Sequence, residues 1–390
     1  MSFELSPEQL NLKAQVRALA LKEFAPKALS WDSKGEFAWE NLKKLSKAGL
    51  MGLTVPKKFG GQERNFLDLC VALEELAAHC HITAMILQMN LNGIPLFVRL
   101  YGTEDQKRRF LPEVPKGNKM YATGYTEFDA GSALTDIKTS ATIRGSKVVI
   151  NGTKHLTTHG HVAHYHMVLA RFGKTKGPYG LGLVIVPADV PGFKIIGREE
   201  TMRGGNEAII AYKNCAVPVE NILVEGKPDS KDGTKIAIDG YNAQRCGNAA
   251  ISLGLAQGAF DLAVKHARER KQFGRPIGEF QGIQWMLAEM ATKIAAARGL
   301  VYRAAALAGK ALPPAKETSM AKLFANDMML QEVVSNSLQI HGWKGFIRGN
   351  PIEWMYRAAR GQSIAGGTTQ MLRNHLGAVI TGLKTNQRTG

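Results

Sequence analysis

The spacing of apolar residues changes twice along the chain, and these changes mark three blocks. Up to about residue 119, apolar positions recur every three or four residues, as in LCVALEELAAH at 69–79, which predicts amphipathic helices. From 120 to 231, short β-branched runs separated by Gly and Pro are typical of antiparallel strands. From 232 onward, long segments rich in Ala, Leu and Met return to helical spacing and need partners for their apolar faces, so a bundle is expected. This order predicts an α+β fold with an N-terminal helical domain (1–119), a middle antiparallel β-barrel or sandwich domain (120–231) and a C-terminal helical-bundle domain (232–390).

Local signals predict where several elements begin and turn. Ser6-Pro7-Glu8-Gln9 has the residues of a capping box with Pro at the first helical position, so a helix is expected there. Thr103 is the expected N-cap of a later helix whose first turn is acidic. In KVVINGTK, the pair Asn151-Gly152 predicts a hairpin turn between two short strands. The stretch EGKPDSKDGTK at 225–235 is the expected linker.

Composition narrows the class of protein. With 45% hydrophobic and 21% charged residues, the 390-residue chain is expected to form two or three globular domains. Its four cysteines are widely spaced and form no CxxC pair, which indicates a reducing compartment without a disulfide framework or zinc site. Because neither a signal peptide nor an 18-residue apolar run is recognisable, we expect a cytoplasmic protein without a membrane segment. The net charge of +17 would suit a phosphate-rich ligand or nucleic acid, but the interleaved acidic residues are more typical of a soluble surface.

Eight segments, in the same order and at similar spacing, resemble the acyl-CoA dehydrogenase superfamily. They are VPKKFGG (55–61), YGTEDQKRRFLP (101–112), TEFDAGSA (126–133), NGTKHLTTHG (151–160), VPVENIL (217–223), RKQFGRPIGEFQ (270–281), LQIHGWKG (338–345) and AGGTTQMLR (365–373). The resemblance implies the superfamily's fold, with a four-helix bundle as the C-terminal domain. It also implies an FAD cofactor, an acyl-CoA substrate, a homotetramer whose FAD sites are shared between protomers, and an electron-transferring flavoprotein as a redox partner.

In the middle domain, the resemblance implies three cofactor contacts. Thr126 lies in the segment that wraps the isoalloxazine, and Thr158 matches a threonine that hydrogen-bonds the flavin near its reactive nitrogen. Ser132 matches a serine that reaches a pyrophosphate or the thioester, and the neighbouring Gly131 would allow a close approach to an anion. Leu156 replaces the tryptophan that usually stands two residues before the threonine, so one flavin-packing contact is expected to differ.

In the C-terminal domain, Arg270 resembles the arginine that crosses a subunit interface to the FAD pyrophosphate of a neighbouring protomer. A guanidinium suits this task because it stays charged and binds phosphate oxygens in a fork. Trp343 stands where the family usually has a second glycine, so the backbone approach to the cofactor is expected to change there. The other matching cofactor positions are Phe273, Gln281, Gln339, Gly342, Thr368 and Gln370.

The substrate positions depart from the family at the catalytic base. Dehydrogenation needs a base for the α-proton, and the family places a glutamate either directly before the GT of the last segment or in a tyrosine-x-x-glutamate-arginine segment. These positions are Gly366 and Gln244 here, and neither side chain has useful basicity near neutral pH. Tyr241 and Arg245 flank Gln244 and resemble positions near the pantetheine and the thioester. Asp239 and Asp129 are the candidate substitute bases.

Three functions follow from this departure. The first is an FAD-dependent acyl-CoA dehydrogenase-like oxidoreductase with an unusual base. The second is a non-redox elimination with FAD retained, because YNAQR and IAGGT resemble the sulfinopropionyl-CoA desulfinases of the superfamily. Met85 takes the place of their pocket arginine, and since a thioether cannot bind a sulfinate, an apolar acyl chain around Met85, Leu87 and Met89 is also expected. The third is a basic flavoprotein that binds nucleic acid, which the 7% aromatic content and the absence of an added basic domain disfavour.

Five histidines crowd one segment and raise the question of a metal site. Strand alternation would place His159 and His161 on one face and His164 and His166 on the other, which divides the set. No carboxylate or cysteine follows at ligand spacing, so no metal is expected. His159 follows Thr158 directly and could influence the flavin. The complete set is His155, His159, His161, His164 and His166.

Overall fold

The computed structural model describes residues 4–34, 36–202 and 206–383. Helices precede and follow a block of strands, in the order that the apolar spacing predicts. The first helices are α1 (Pro7–Leu19), α2 (Ala28–Lys34), α3 (Trp39–Lys47), α4 (Phe66–His79), α5 (His81–Asn92), α6 (Ile94–Tyr101), α7 (Glu104–Phe110) and α8 (Glu113–Lys116). The strands of the middle block are β1 (Tyr121–Gly124), β2 (Ser140–Arg144), β3 (Lys147–Thr158), β4 (Tyr165–Phe172), β5 (Leu181–Pro187), β6 (Phe193–Glu200), β7 (Asn206–Pro218) and β8 (Ile222–Val224).

The last block is helical apart from one short hairpin. Its elements are α9 (Asp232–Glu269), β9 (Lys271–Gln272), β10 (Arg275–Pro276), α10 (Gln281–Ala308), α11 (Ala315–Met328), α12 (Ser335–His341), α13 (Trp343–Phe346), α14 (Pro351–Gln362) and α15 (Thr369–Thr381). The expected domain boundaries at 119/120 and 231/232 fall in the connections from α8 to β1 and from β8 to α9. No helix in the described part of the chain is long and apolar enough to cross a membrane.

Both predicted helix starts are present. Ser6 accepts a hydrogen bond from the Gln9 backbone while the Gln9 side chain accepts one from the Ser6 backbone, which completes a capping box at α1. Thr103 and Gln106 form the same reciprocal pair at α7. These motifs are local, so the sequence alone is enough to place them.

Contacts divide the chain into two units, and the first combines the described residues of 1–33, 65–85 and 245–390. Within it α4 packs against α1 and α10, and α11 packs against α10 and α15. Glu74 is buried on α4, where it accepts hydrogen bonds from Arg298 at 3.0 Å and from the Tyr302 hydroxyl at 2.6 Å. The next residue, Glu75, is paired with Arg17 of α1 at 2.8 Å. Because a buried carboxylate is stable only when its charge is compensated, these pairs specify how the helices meet.

The second unit contains the described residues of 34–64 and 86–244, including the sheet. The strand order is β6-β7-β3-β2-β4-β5-β8, with β1 paired to β4 outside this path. Most pairings are antiparallel, as the sequence predicts, but β4 pairs in parallel with both β1 and β2. The apolar faces of the strands enclose a core that includes Val148, Ile150, Val168, Val184 and Ile210.

The predicted hairpin at Asn151-Gly152 is wrong. β3 runs through both residues, and its register with β7 shifts between Ile150 and Gly152, which is a bulge. Gly152 has a φ of 149°, and a Cβ there would lie 2.4 Å from the Thr139 hydroxyl. The glycine is therefore required for a close approach of two backbones, and the turn between β2 and β3 lies at Gly145 instead.

Candidate functional site

In the second unit, Thr126 and Thr158 occupy neighbouring stretches of backbone. Thr126 follows β1, and its carbonyl accepts a hydrogen bond from the His155 backbone of β3 at 2.9 Å. Thr158 is the last residue of β3, and both threonines are half-buried. The structure therefore brings these two predicted flavin contacts to the same part of the sheet.

A buried ion pair fixes the loop that begins at Thr126. Lys154 of β3 is fully buried, and its Nζ donates to the Tyr125 carbonyl at 3.0 Å and to Glu127 Oε1 at 2.8 Å. The Glu127 carboxylate also accepts from the backbones of Lys138 and Thr139. Burial lowers the pKa of Lys154 to about 8. For Glu127 burial raises the pKa, but the attraction of Lys154 together with the hydrogen bonds that the carboxylate accepts outweighs burial and lowers its pKa. Sequence reasoning missed this pair because its two residues lie far apart in the chain.

Three hydroxyl oxygens around this loop are buried and lack a protein partner among the described residues. They belong to Thr123, Tyr125 and Thr157. Buried hydroxyls normally have a hydrogen-bond partner, so this environment suits a polar ring edge, such as that of a flavin. The residues present therefore fit the FAD that the resemblance implies.

The two candidate substitute bases have different surroundings. Asp129 is exposed and paired with Lys138 at 3.1 Å. Asp239 lies near Tyr101, whose pKa rises because of burial and the charge of this carboxylate. Asp239 and Gln244 are five residues apart on α9, which turns their side chains about 140° away from each other. Gln244 is half-buried, and its carbonyl accepts from Gln88 at 3.3 Å.

The other predicted substrate residues of this unit differ in exposure. The ring of Tyr241 packs edge-on against that of Tyr125, with centroids 5.0 Å apart, beside the buried hydroxyls. Ser132 lies on an exposed part of the loop after Ala130. Leu87 is fully buried and Met89 almost so. A core position of this kind offers little surface to an acyl chain.

The histidine-rich segment is not one strand, contrary to the alternation expected from sequence. β3 ends at Thr158 and β4 begins at Tyr165, so the residues between them form a turn in which His159 has a φ of 56°. His159 packs edge-on against Phe37, and His164 accepts from the Met120 backbone at 3.2 Å. In the described part of the chain no three His, Cys, Asp or Glu residues are arranged to hold a metal ion.

In the first unit, the turn before α15 carries the position of the usual base. Gly366 and Gly367 have φ values of 68° and 89°. The Nζ of Lys322, which is fully buried on α11, donates to the carbonyls of Ala365 at 2.6 Å and Gly367 at 2.5 Å. Arg245 of α9 donates to the Gly366 carbonyl at 3.2 Å. Two basic side chains therefore donate to the turn at which the resemblance implies a carboxylate.

Met85 is half-buried beside a polar network. Gln362 of α14 donates to its sulfur at 3.7 Å and contacts His81 Nε2 at 2.8 Å. Asn326 joins the network by donating to the Gln362 carbonyl and to the side chain of Asn248. Because Gln362 is fully buried and held by several partners, the amide that it presents to the Met85 sulfur is itself held in place.

The predicted cofactor contacts near α10 lie on an exposed surface. Arg270 is exposed directly before the β9–β10 hairpin. The two residues of its turn, Phe273 and Gly274, have φ values of 51° and 80°, which is the pattern of a type I′ turn. Phenylalanine is unusual in this conformation, and its side chain is 93% exposed.

The remaining predicted positions are on element ends. Gln281 begins α10, Gln339 is exposed on α12, and Gly342 follows with a φ of 60°. Thr368 is the N-cap of α15, where its hydroxyl accepts from the Met371 backbone at 3.3 Å, and Gln370 is exposed in the first turn. Trp343 is 76% exposed, so the residue that replaces the family glycine adds a large apolar surface.

Comparisons with known proteins identify related domains, sequences and structures. Models of the acyl-CoA dehydrogenase N-terminal, middle and C-terminal domains match residues 6–118, 122–215 and 231–381. The chain is 38% identical over 390 residues to a 3-sulfinopropanoyl-CoA desulfinase from Paraburkholderia xenovorans (strain LB400), covering 99% of both chains. It is 39% identical over 377 residues to an acryloyl-CoA reductase (NADH) from Anaerotignum propionicum, covering 95% of this chain and 94% of that one. The structure of butyryl-CoA dehydrogenase from Megasphaera elsdenii is similar with a TM-score of 0.92 at 30% identity, covering 98% of this chain and 100% of that one.

Proposed function

Because the chain belongs to the acyl-CoA dehydrogenase family, whose cofactor is FAD, we propose that it is an FAD-dependent enzyme of acyl-CoA thioesters that uses no carboxylate at residue 366 or 244. The resemblance drawn from the eight segments and the predicted order of domains are confirmed by the family matches. The reaction itself is inferred from the residues around Gly366.

The observation that carries the proposal is the replacement of a base by cations. Gly366 has no side chain, and Lys322 and Arg245 donate to the backbone of its turn. A positively charged environment favours the departure or binding of an anion and opposes proton abstraction by a carboxylate. We therefore favour loss of a substituent such as a sulfinate from the acyl chain without net oxidation, the second of the functions that the sequence suggests. In this step the carbon–sulfur bond breaks, water supplies a hydroxyl to the sulfur and a proton to the carbon, and sulfite leaves. The 3-sulfinopropanoyl-CoA desulfinase at 38% identity is consistent with this choice.

FAD, when bound, supplies the redox-active ring of the family's chemistry. In the middle domain we propose that Thr126 and Thr158 hydrogen-bond the flavin, while the Lys154–Glu127 pair holds the loop in place. In the C-terminal domain we propose that Arg270 and Phe273 reach a neighbouring protomer, since both are exposed and Phe273 lies in a strained turn. A homotetramer is therefore part of the proposal, with Gln281, Gln339, Gly342, Thr368 and Gln370 as further cofactor contacts.

A redox reaction is the second candidate, because the acryloyl-CoA reductase is as similar to this chain as the desulfinase. It would need a proton donor or acceptor other than residues 366 and 244. Asp239 is the nearest such carboxylate in sequence, although its side chain turns away from Gln244. An electron-transferring flavoprotein is the partner that we propose for this case alone.

Anaerobic spectroscopy of the FAD-containing protein with a panel of acyl-CoAs separates the two reactions. Release of a leaving group such as sulfite while the flavin stays oxidised would support elimination. Bleaching of the oxidised-flavin band by a saturated acyl-CoA would support dehydrogenation and contradict the favoured reaction. A purified protein that holds no FAD would contradict both. For the redox case, full activity of Asp239→Asn would dismiss this residue as the substitute base.

A further inference from the structure

The first unit contains a pair of cysteines on two helices, and neither residue is among those proposed to bind FAD or the acyl-CoA. Cys70 lies on α4 and Cys246 on α9, and their sulfur atoms are 4.0 Å apart, with one thiol donating to the other. Both residues are fully buried, and both are free thiols. Because they are 176 residues apart in the chain, only the fold brings them together.

Glycines allow α4 and α9 to pack with their backbones in contact. A Cβ built on Gly254 of α9 would lie 2.2 Å from the Glu74 carbonyl oxygen of α4, and one built on Gly258 would lie 2.2 Å from the Ala78 carbonyl oxygen. A side chain cannot come so near to a backbone oxygen, so each glycine is required for this approach of the two helices. The packing keeps the two sulfur atoms within about 2 Å of the separation that a disulfide bond needs.

Burial makes Cys70 slow to react. Burial, together with the hydrogen bond between the two thiols, raises the pKa of the Cys70 thiol, and the charge of Glu74 on the same helix acts in the same direction. Because the thiolate is the reactive form, oxidation should be slow at neutral pH and faster at higher pH. The pair therefore stays reduced unless an oxidant is present for long enough.

We propose that Cys70 and Cys246 form a redox-sensitive pair that hydrogen peroxide converts into an intramolecular disulfide between α4 and α9. One thiol reduces the peroxide: the O–O bond breaks, the sulfur becomes a sulfenic acid and one water leaves. The other thiol then attacks this sulfur, so that the S–S bond forms and the sulfenic oxygen leaves as a second water. The two thiols lose two electrons and two protons in total, and a dithiol reductant reverses the reaction.

The test treats the full-length, FAD-containing protein with hydrogen peroxide. The remaining thiols are alkylated, the protein is digested without reductant, and linked peptides are identified by mass spectrometry. We expect a linked pair of peptides that joins Cys70 to Cys246, in protein that runs as a monomer on a denaturing gel without reductant. The link should form at least about tenfold faster at about pH 9 than at about pH 7, because the thiolate fraction rises.

The disulfide should also stabilise the fold, because it restricts the unfolded chain between residues 70 and 246. We expect the oxidised protein to unfold at a midpoint at least about 3 °C higher than the same sample after treatment with dithiothreitol. The reduced sample is the matched control, because methionines that peroxide has oxidised stay oxidised in it.

Two variants separate this pair from the other cysteines. Cys246→Ala should form no link and should leave Cys70 as a sulfenic acid, which dimedone labels. Cys80 accepts a hydrogen bond from the Thr83 hydroxyl at 3.1 Å and lies outside the pair, so Cys80→Ala should keep the link.

The unaltered protein decides the question even if a variant does not fold. A failure to link Cys70 to Cys246 during prolonged treatment at about pH 9 would overturn the proposal. A link found only between chains, or one that joins either residue to a different cysteine, would overturn it as well. A lower unfolding midpoint in the oxidised protein would do the same, because it would show that the packed helices do not accommodate the bond.

Discussion

Gly152 and Gly145 both have positive φ values, but only one of them has a neighbour that excludes a side chain. A Cβ on Gly152 would lie 2.4 Å from the Thr139 hydroxyl, whereas a Cβ on Gly145 would meet no described atom within 4 Å. We expect Gly152→Ala to lower the free energy of unfolding by about 2–4 kcal/mol, since β2 and β3 must separate. Gly145→Ala should cost only about 1 kcal/mol, from backbone strain. Urea unfolding of both variants measures the difference, and equal costs would show that the close contact is not what requires Gly152.

His166 gives the sheet domain an acid-sensitive residue. It is fully buried on β4 against Phe193, and burial lowers its pKa from 6.5 to about 3. Above pH 6.5 the imidazole is neutral in both states, so it contributes no pH dependence. As the pH falls from 6.5 towards 3, the unfolded chain takes up a proton that the native chain does not, and stability is lost.

The expected loss is about 1.4 kcal/mol for each pH unit below 6.5 while His166 stays neutral in the native state. His166→Leu removes this proton uptake. The free energy of unfolding of the variant should therefore fall less between neutral and acid pH, whatever the substitution costs at neutral pH. Chemical unfolding at about pH 7 and about pH 5 should show roughly 2 kcal/mol less acid destabilisation in the variant. Identical pH dependence in both proteins would mean that His166 is protonated in the folded state.

At the scale of elements, the Lys154–Glu127 pair joins β3 to the loop that carries Thr126. Lys154→Met leaves the Glu127 carboxylate without its buried cation, which should lower the free energy of unfolding by about 3–5 kcal/mol. Adding Glu127→Gln removes the uncompensated charge, so the double variant should cost less than the two single variants together, by about 1–3 kcal/mol. The same comparison of two single variants with the double variant, a double-mutant cycle, is made at the exposed pair Lys138–Asp129 as the control. Its interaction energy should be below about 1 kcal/mol. Similar coupling in both cycles would contradict a special role for the buried pair.

The β9–β10 hairpin provides a prediction about assembly. Phe273→Asn places a residue that tolerates positive φ in the type I′ turn, so the hairpin should become more stable by about 0.5–1 kcal/mol. The exposed phenyl ring is lost at the same time, and if it contacts a neighbouring protomer's cofactor, FAD retention should fall. Unfolding and the FAD content after gel filtration are measured together, with Phe273→Tyr as the control that keeps the ring. Unchanged FAD content in Phe273→Asn would remove this residue from the proposed cofactor contacts.

Elements whose signals are local were predictable from the sequence, and those that depend on distant contacts were not. The capping boxes at Ser6 and Thr103 involve residues three apart, so they could be read directly. Asn151-Gly152 has the sequence of a tight turn, but the glycine serves an approach to Thr139, which lies on another segment. The basic side chains beside Gly366 could not be predicted from the sequence for the same reason, because Lys322 is more than forty residues away from Gly367 in the chain. Family resemblance supplied the candidate positions, and only the fold could show which charges surround them.

At the scale of the whole molecule, the net charge of +17 should affect how fast the protein and its substrate associate more than how tightly they bind. A CoA thioester carries several negative charges, so a strongly basic protein attracts it over a distance that salt shortens to about 10 Å at 0.1 M. We expect the association rate of butyryl-CoA, measured by stopped-flow flavin absorbance, to fall at least about tenfold between low salt and about 0.2 M salt. The uncharged N-acetylcysteamine thioester of butyrate is the matched control, because it keeps the acyl group and lacks the phosphates. If both thioesters showed the same salt dependence, the basic charge would serve solubility rather than substrate capture.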